Sequence, residues 1–121
     1  MLILGIETAT EQVSVAIGGH EGVLAMFEVC RGRRHAETLI PSIEFVCKQA
    51  NVEMSEFGAI AVDVGPGLFT GMRVGLASAK AIAQALRVPP SRVQLVSLNP
   101  PEEIISIIFI SESALATEAD E

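Results

Sequence analysis

Apolar residues recur along this chain with two different periods, and the changes of period mark its elements. Leu2 to Ile6 is a continuous apolar run, the pattern of a buried strand. Val13-Ser14-Val15-Ala16-Ile17 alternates and stops at Gly18-Gly19. After the turn residues His20-Glu21-Gly22, an extended pattern resumes from Val23 to Val29. Together these segments predict a three-stranded antiparallel meander with a hairpin at Gly18–Gly22. From His35 the period lengthens. Ala36, Leu39, Ile40, Ile43, Val46, Cys47 and Ala50 form one stripe, which predicts a helix over 35–50. Pro41 predicts a kinked or delayed first turn, and Asn51 a stop. Ser55-Glu56-Phe57 then leads into an apolar strand, Ala59–Val64.

The next segment, Gly65 to Gly75, holds four glycines in eleven residues. It opens an alanine-rich helix from Met72 to Leu86, in which Gly71, Gly75, Ala79 and Ala83 recur every four residues as a smooth face. Pro89-Pro90 ends that helix, and Val93-Gln94-Leu95-Val96 reads as a fifth strand. Three strands, helix, strand, helix, strand is the order of an α/β ribonuclease-H-like lobe: a mixed five-stranded sheet with crossover helices. Residues 99–121 leave two readings open. Asn99-Pro100-Pro101-Glu102-Glu103 suits a helix start, whereas Ile104 to Ile110 has the β-branched richness of a strand.

Composition narrows the function classes. The chain has 121 residues, half of them hydrophobic, with no Trp or Tyr, so one domain with an aliphatic core is expected. A net charge of −7 argues against binding nucleic acid through its own basic surface. Cys30 and Cys47 are isolated thiols, as in a reducing compartment. The N-terminus lacks the basic start of a signal peptide and reaches Glu7 after six residues, so a cytoplasmic protein away from membranes is expected.

Strand, glycine loop and helix N-terminus in succession is how a fold offers backbone N–H groups to an anion. The same glycines also let two backbones approach closely. Within the loop, the residues a phosphate would meet are Gly65, Gly67, Thr70 and Gly71. Thr70-Gly71-Met72 stands where a phosphate-binding loop would carry Gly-Lys-Ser/Thr, and no Gly-x-Ser-x-Gly elbow occurs. Arg73 is placed to meet a phosphate, a partner carboxylate or solvent. The second helix carries few polar residues beyond Ser78, Lys80 and Gln84, so burial on more than one side is expected. Phe45 lies off the stripe of the first helix. Packing against the sheet is the default reading of the smooth face, and with a second side turned to another subunit a contact surface is expected at Leu39, Ile43, Phe45, Met72, Gly75, Leu76, Ala79 and Ala83.

Four segments carry a resemblance: Gly5-Ile6-Glu7-Thr8-Ala9-Thr10, Arg34-His35-Ala36-Glu37 followed by Leu39-Ile40-Pro41, the Gly65–Gly75 loop, and Val96-Ser97-Leu98. With them the chain resembles the N-terminal lobe of the TsaB/YeaZ family. The resemblance runs to Leu98 and divides the chain into a lobe, 1–98, and a divergent tail, 99–121. It implies the actin-like ATPase fold, in which two such lobes enclose a nucleotide and the first hairpin, here Glu7 and Thr8, approaches its phosphates together with a vestigial Gly65, Gly67, Thr70 and Gly71 loop. The resemblance further implies full-length members about twice as long. It also implies a non-catalytic subunit in threonylcarbamoyladenosine synthesis on tRNA, with TsaD as its catalytic partner and a TsaE-like ATPase beside it. Contact with tRNA would be indirect, and a homodimer would form through the two helices. No catalytic residue and no cofactor are expected, since ATP with Mg would need the second lobe to close over it. TsaD-type enzymes hold a metal with His-x-x-x-His on a helix; here Leu39 follows His35 at that spacing, so no metal is expected. An older label, glycoprotease-like, implies a peptidase. A nucleotide-binding ATPase, a metallopeptidase and a dimerising lobe without activity are the competing expectations.

Overall fold

The computed structural model describes residues 1–30, 35–98 and 103–119. Its strands are β1 (Leu2–Glu7), β2 (Val13–Gly19), β3 (Gly22–Val29), β4 (Phe57–Asp63) and β5 (Val93–Val96). Its helices are α1 (His35–Ala50), α2 (Phe69–Leu86) and α3 (Ile104–Ala119). The sheet runs β3-β2-β1-β4-β5. The meander β1, β2, β3 is antiparallel, while β4 and β5 join β1 in parallel. This is the ribonuclease-H-like arrangement expected from the order of periods, with crossovers supplied by α1 and α2.

Strand alternation sends unlike residues to the two faces of the sheet. One face carries Leu4, Ile6, Val13, Val15, Ile17, Ile60 and Val62, and α1 and α2 cover it with Leu39, Ile43, Val46, Ala79, Ile82 and Ala83. The other face carries Ile3, Ala16, Ala59 and Ala61. Gly5 and Gly18 lie on that second face, where an added Cβ would come within 2.5 Å of Ile107 Cγ2 and 2.9 Å of Ile108 Cγ2 respectively. So the second face is a shallow floor, and α3 fills it with Ile104, Ile107, Ile108 and Leu115, all buried. The segment with both readings open is thus helical from Ile104 to Ala119, and residues 99–102 and 120–121 lie outside the described residues.

Helix α1 runs through Pro41 without ending, the proline lying on the exposed side. Asn51 stops it in the left-handed region, φ 56°, with its N–H on the Lys48 carbonyl. No described helix is long and apolar enough to cross a membrane.

Candidate functional site

Because β1 and β4 are parallel neighbours, their C-terminal ends emerge together, and the loops that follow them meet. The pairing Ile6↔Val62 makes Glu7 and Asp63 the next residues along the two strands. Both are buried, at 1% and 0% exposure. The Ala9 N–H donates to Glu7 Oε1 at 2.7 Å. Asp63 Oδ1 accepts the N–H groups of Gly65, at 3.0 Å, and Leu98, at 3.2 Å. Asp63 therefore ties the start of the glycine loop to the chain leaving β5. Ser97 supports the same junction by donating its hydroxyl to the Gly65 carbonyl. Sequence reading passed over Asp63; the available signal was a lone acid ending an otherwise apolar strand.

The glycine loop closes on the β1–β2 turn. Leu68 N–H donates to the Ala9 carbonyl at 2.5 Å, and the Thr8 hydroxyl donates to the Gly71 carbonyl at 2.6 Å. A Cβ on Gly67 would run into the Ala9 carbonyl, and one on Gly75 into the Thr8 hydroxyl. Gly65 has φ 113°, a conformation that favours glycine. Close packing against Thr8 and Ala9, plus one left-handed turn, accounts for these three glycines without a ligand.

The same geometry tests the loop as a nucleotide cradle. The Gly65 and Leu68 N–H groups are already bonded within the chain, and two buried carboxyl groups lie at the strand ends beneath the loop. Neither feature favours a phosphate. Thr70 is exposed and Gly71 buried, and Arg73 holds its guanidinium 5.6 Å from the centre of the Phe69 ring. Two of the N–H groups that a phosphate would need are therefore taken up within the chain. Among the described residues no group of three or more His, Cys, Asp or Glu side chains is arranged for a metal. The side chain of His35 and all of Arg34 lie outside the described residues.

A test of Asp63 follows from its asymmetry. Among the described residues its Oδ2 has no partner, whereas Oδ1 has two. Asp63→Ala strands two N–H groups and is expected to lower stability by about 2–4 kcal/mol. Asp63→Asn keeps the accepting oxygen and is expected to stay within about 1 kcal/mol of the parent. Urea denaturation of both variants checks this; equal losses would mean that the two bonds contribute nothing.

The contact surface expected from sequence needs correction. Leu39, Ile43, Gly75, Ala79 and Ala83 are buried inside the lobe, against the sheet. The physical reason is the smooth face itself: small residues let α2 settle onto Thr8 and Val62, so that face is covered from within. Met72 and Leu76 are half-buried. Phe45 remains 48% exposed, its ring centre 4.9 Å from that of Phe27. Ile40, at 42%, and the exposed Ala77, Ala81 and Ala85 belong with it to the outward apolar part of the helical layer, and Phe69, at 69%, stands exposed at the start of α2. Of the two thiols, Cys30 is exposed and Cys47 is buried; burial pushes the Cys47 thiol up, with nearby Glu53 adding to the shift.

Comparison with known proteins follows the fold. The family model for TsaD, tRNA N6-adenosine threonylcarbamoyltransferase, matches residues 28–98. The tRNA threonylcarbamoyladenosine biosynthesis protein TsaB of Escherichia coli is 36% identical over 89 residues, 74% of this chain and 38% of that protein. A tRNA N6-adenosine threonylcarbamoyltransferase of Syntrophus aciditrophicus is 32% identical over 128 residues, covering 93% of this chain and 36% of the relative. The structure of YeaZ from Pseudomonas aeruginosa superposes with a TM-score of 0.72 at 33% identity, covering 79% of this chain and 43% of that one. The chain thus spans less than half the length of each of these relatives.

Proposed function

This chain belongs to the family of TsaB/YeaZ and TsaD proteins, and we propose that it acts there as a non-catalytic subunit of tRNA threonylcarbamoyladenosine synthesis. Its role is to hold a TsaD-like catalytic protein against the outward surface of α1 and α2. One observation carries the reading: the glycine loop is closed on Thr8 and Ala9, while the helical layer leaves Ile40, Phe45, Ala77 and Ala81 outward. An exposed apolar layer beside a closed loop supports binding over catalysis. Without the partner, two copies pair through the same layer; a TsaE-like ATPase and tRNA are reached through TsaD. The ATPase and peptidase readings have no comparable support, because the loop does not suit a phosphate and no described cluster suits a metal.

Ala81→Glu tests the layer cleanly, since Ala81 is exposed on α2. Sedimentation of the parent should give twice the 12.8 kDa of one chain at tens of micromolar, and co-elution with the TsaD-like protein of the same source. Ala81→Glu should weaken both associations about tenfold, or ~1.4 kcal/mol, with unchanged melting. A parent that stays monomeric and does not co-elute sinks the proposal. Saturable micromolar binding of Mg-ATP by calorimetry would revive the enzyme reading.

A further inference from the structure

Charge along this chain is strongly segregated. Residues 64–98 contain four cations, Arg73, Lys80, Arg87 and Arg92, and none of the fifteen acids. This stretch, which folds as α2, the turn after it and β5, carries cations alone in a protein of net charge −7. Lys80, Arg87 and Arg92 are all exposed there.

The β5 edge of this stretch is structurally open. Among the described residues β5 pairs with β4 alone and is the last strand of the sheet. The Val96 carbonyl accepts Val64 N–H on the β4 side, and along a parallel strand alternate residues turn their N–H and C=O to opposite sides. Leu95 therefore turns its backbone groups outward, while Val93 N–H is held by the Pro90 carbonyl. Beside this edge lies a groove of about 410 Å³ lined by Lys80, Ala83, Gln84, Val88, Val93 and Leu95. Leu95 is 59% exposed within it.

We propose that the open edge of β5 and the adjoining groove bind an extended acidic and apolar segment of a partner protein by strand addition. Its backbone pairs with Leu95, and its side chains on the face toward α2 are in turn apolar, entering between α2 and β5, and acidic, meeting Lys80 of the groove lining. β5 has only four residues, so backbone pairing alone is weak and the groove must supply the grip. A second copy of β5 is disfavoured as occupant because two cationic edges repel. The lining holds no aromatic ring on which a nucleic-acid base would stack. The groove adjoins the outward layer through α2, where Lys80 and Gln84 neighbour Ala77 and Ala81, but the backbone edge of β5 lies outside that layer, so the N-methylated peptide below tests this proposal alone.

The probe is a fluorescein-labelled peptide of two Val-Ser-Glu-Ser repeats, which puts Val and Glu on one face of an extended chain, followed by anisotropy. Saturable binding is expected, at least about tenfold weaker for the same peptide with alternate amides N-methylated, and about tenfold weaker for Lys80→Glu at unchanged melting temperature. A peptide of two Val-Ser-Lys-Ser repeats should not bind. Equal affinity of the N-methylated peptide, or no saturation by the parent peptide, overturns the proposal. Preferential binding of a ten-nucleotide uridine RNA overturns it too, by giving the cationic edge to nucleic acid.

Discussion

Ending the chain at Leu98 is expected to abolish cooperative folding, although the five strands and both crossover helices remain. The truncation removes α3 and with it Ile104, Ile107, Ile108 and Leu115 from the second face of the sheet. Burial of an Ile or Leu contributes about 1.5–3 kcal/mol, so four represent roughly 6–12 kcal/mol. A domain of this size is stable by about 5–15 kcal/mol in total. The loss also uncovers Ile3, Ala16, Ala59, Ala61 and Leu98 as a flat apolar patch. Circular dichroism should show a broad, non-cooperative melt, and ANS fluorescence should rise. A graded version is Ile107→Ala, expected to cost about 3 kcal/mol, since Ile107 is fully buried over Gly5. If the truncated chain melts cooperatively within a few degrees of the parent, α3 is an accessory and residues 1–98 are the lobe.

That α3 is helical could not be read from its own residues. Its isoleucines favour a strand locally, and what selects the helix is the floor beneath it. The floor becomes visible only when register is known: Gly5 pairs with Ala16 on one side and Ala61 on the other, which aligns small residues across three strands. Elements whose period is self-sufficient were legible. The meander, α1 over 35–50 and β5 over 93–96 fall where the pattern puts them, and β4 and α2 begin two and three residues earlier than expected. The smooth face of α2 was legible as a site of close approach, but not what approaches. Sequence spacing shows that a face is small; it does not show whether a strand end of the same chain or another protein fills the gap. The Asp63 junction was hidden for a related reason, because its two N–H partners lie at Gly65 and Leu98, 2 and 35 residues away.

The glycines around the loop offer the sharpest test of what that loop is for. In Gly75→Ala the new methyl occupies the position of the Thr8 hydroxyl, which is itself held on the Gly71 carbonyl and has no room to retreat. Overpacking of this kind costs about 2–3 kcal/mol, or roughly 10 °C in melting temperature for a chain of this size. Gly67→Ala meets the Ala9 carbonyl but sits on an exposed loop, so a smaller loss of about 1–2 kcal/mol is expected. Thr8→Ala alone loses one buried hydrogen bond, about 1 kcal/mol. In the double variant Thr8→Ala, Gly75→Ala the clash is gone. Its loss should therefore fall below the sum of the singles by about 1–2 kcal/mol in a denaturation cycle. These effects should appear without nucleotide and be unchanged by adding Mg-ATP. A cradle that exists for phosphate makes the opposite demand: Gly67→Ala would leave stability alone and change only nucleotide affinity. Zero coupling between Thr8 and Gly75 would remove packing as the reason for that glycine and return the loop to the anion reading.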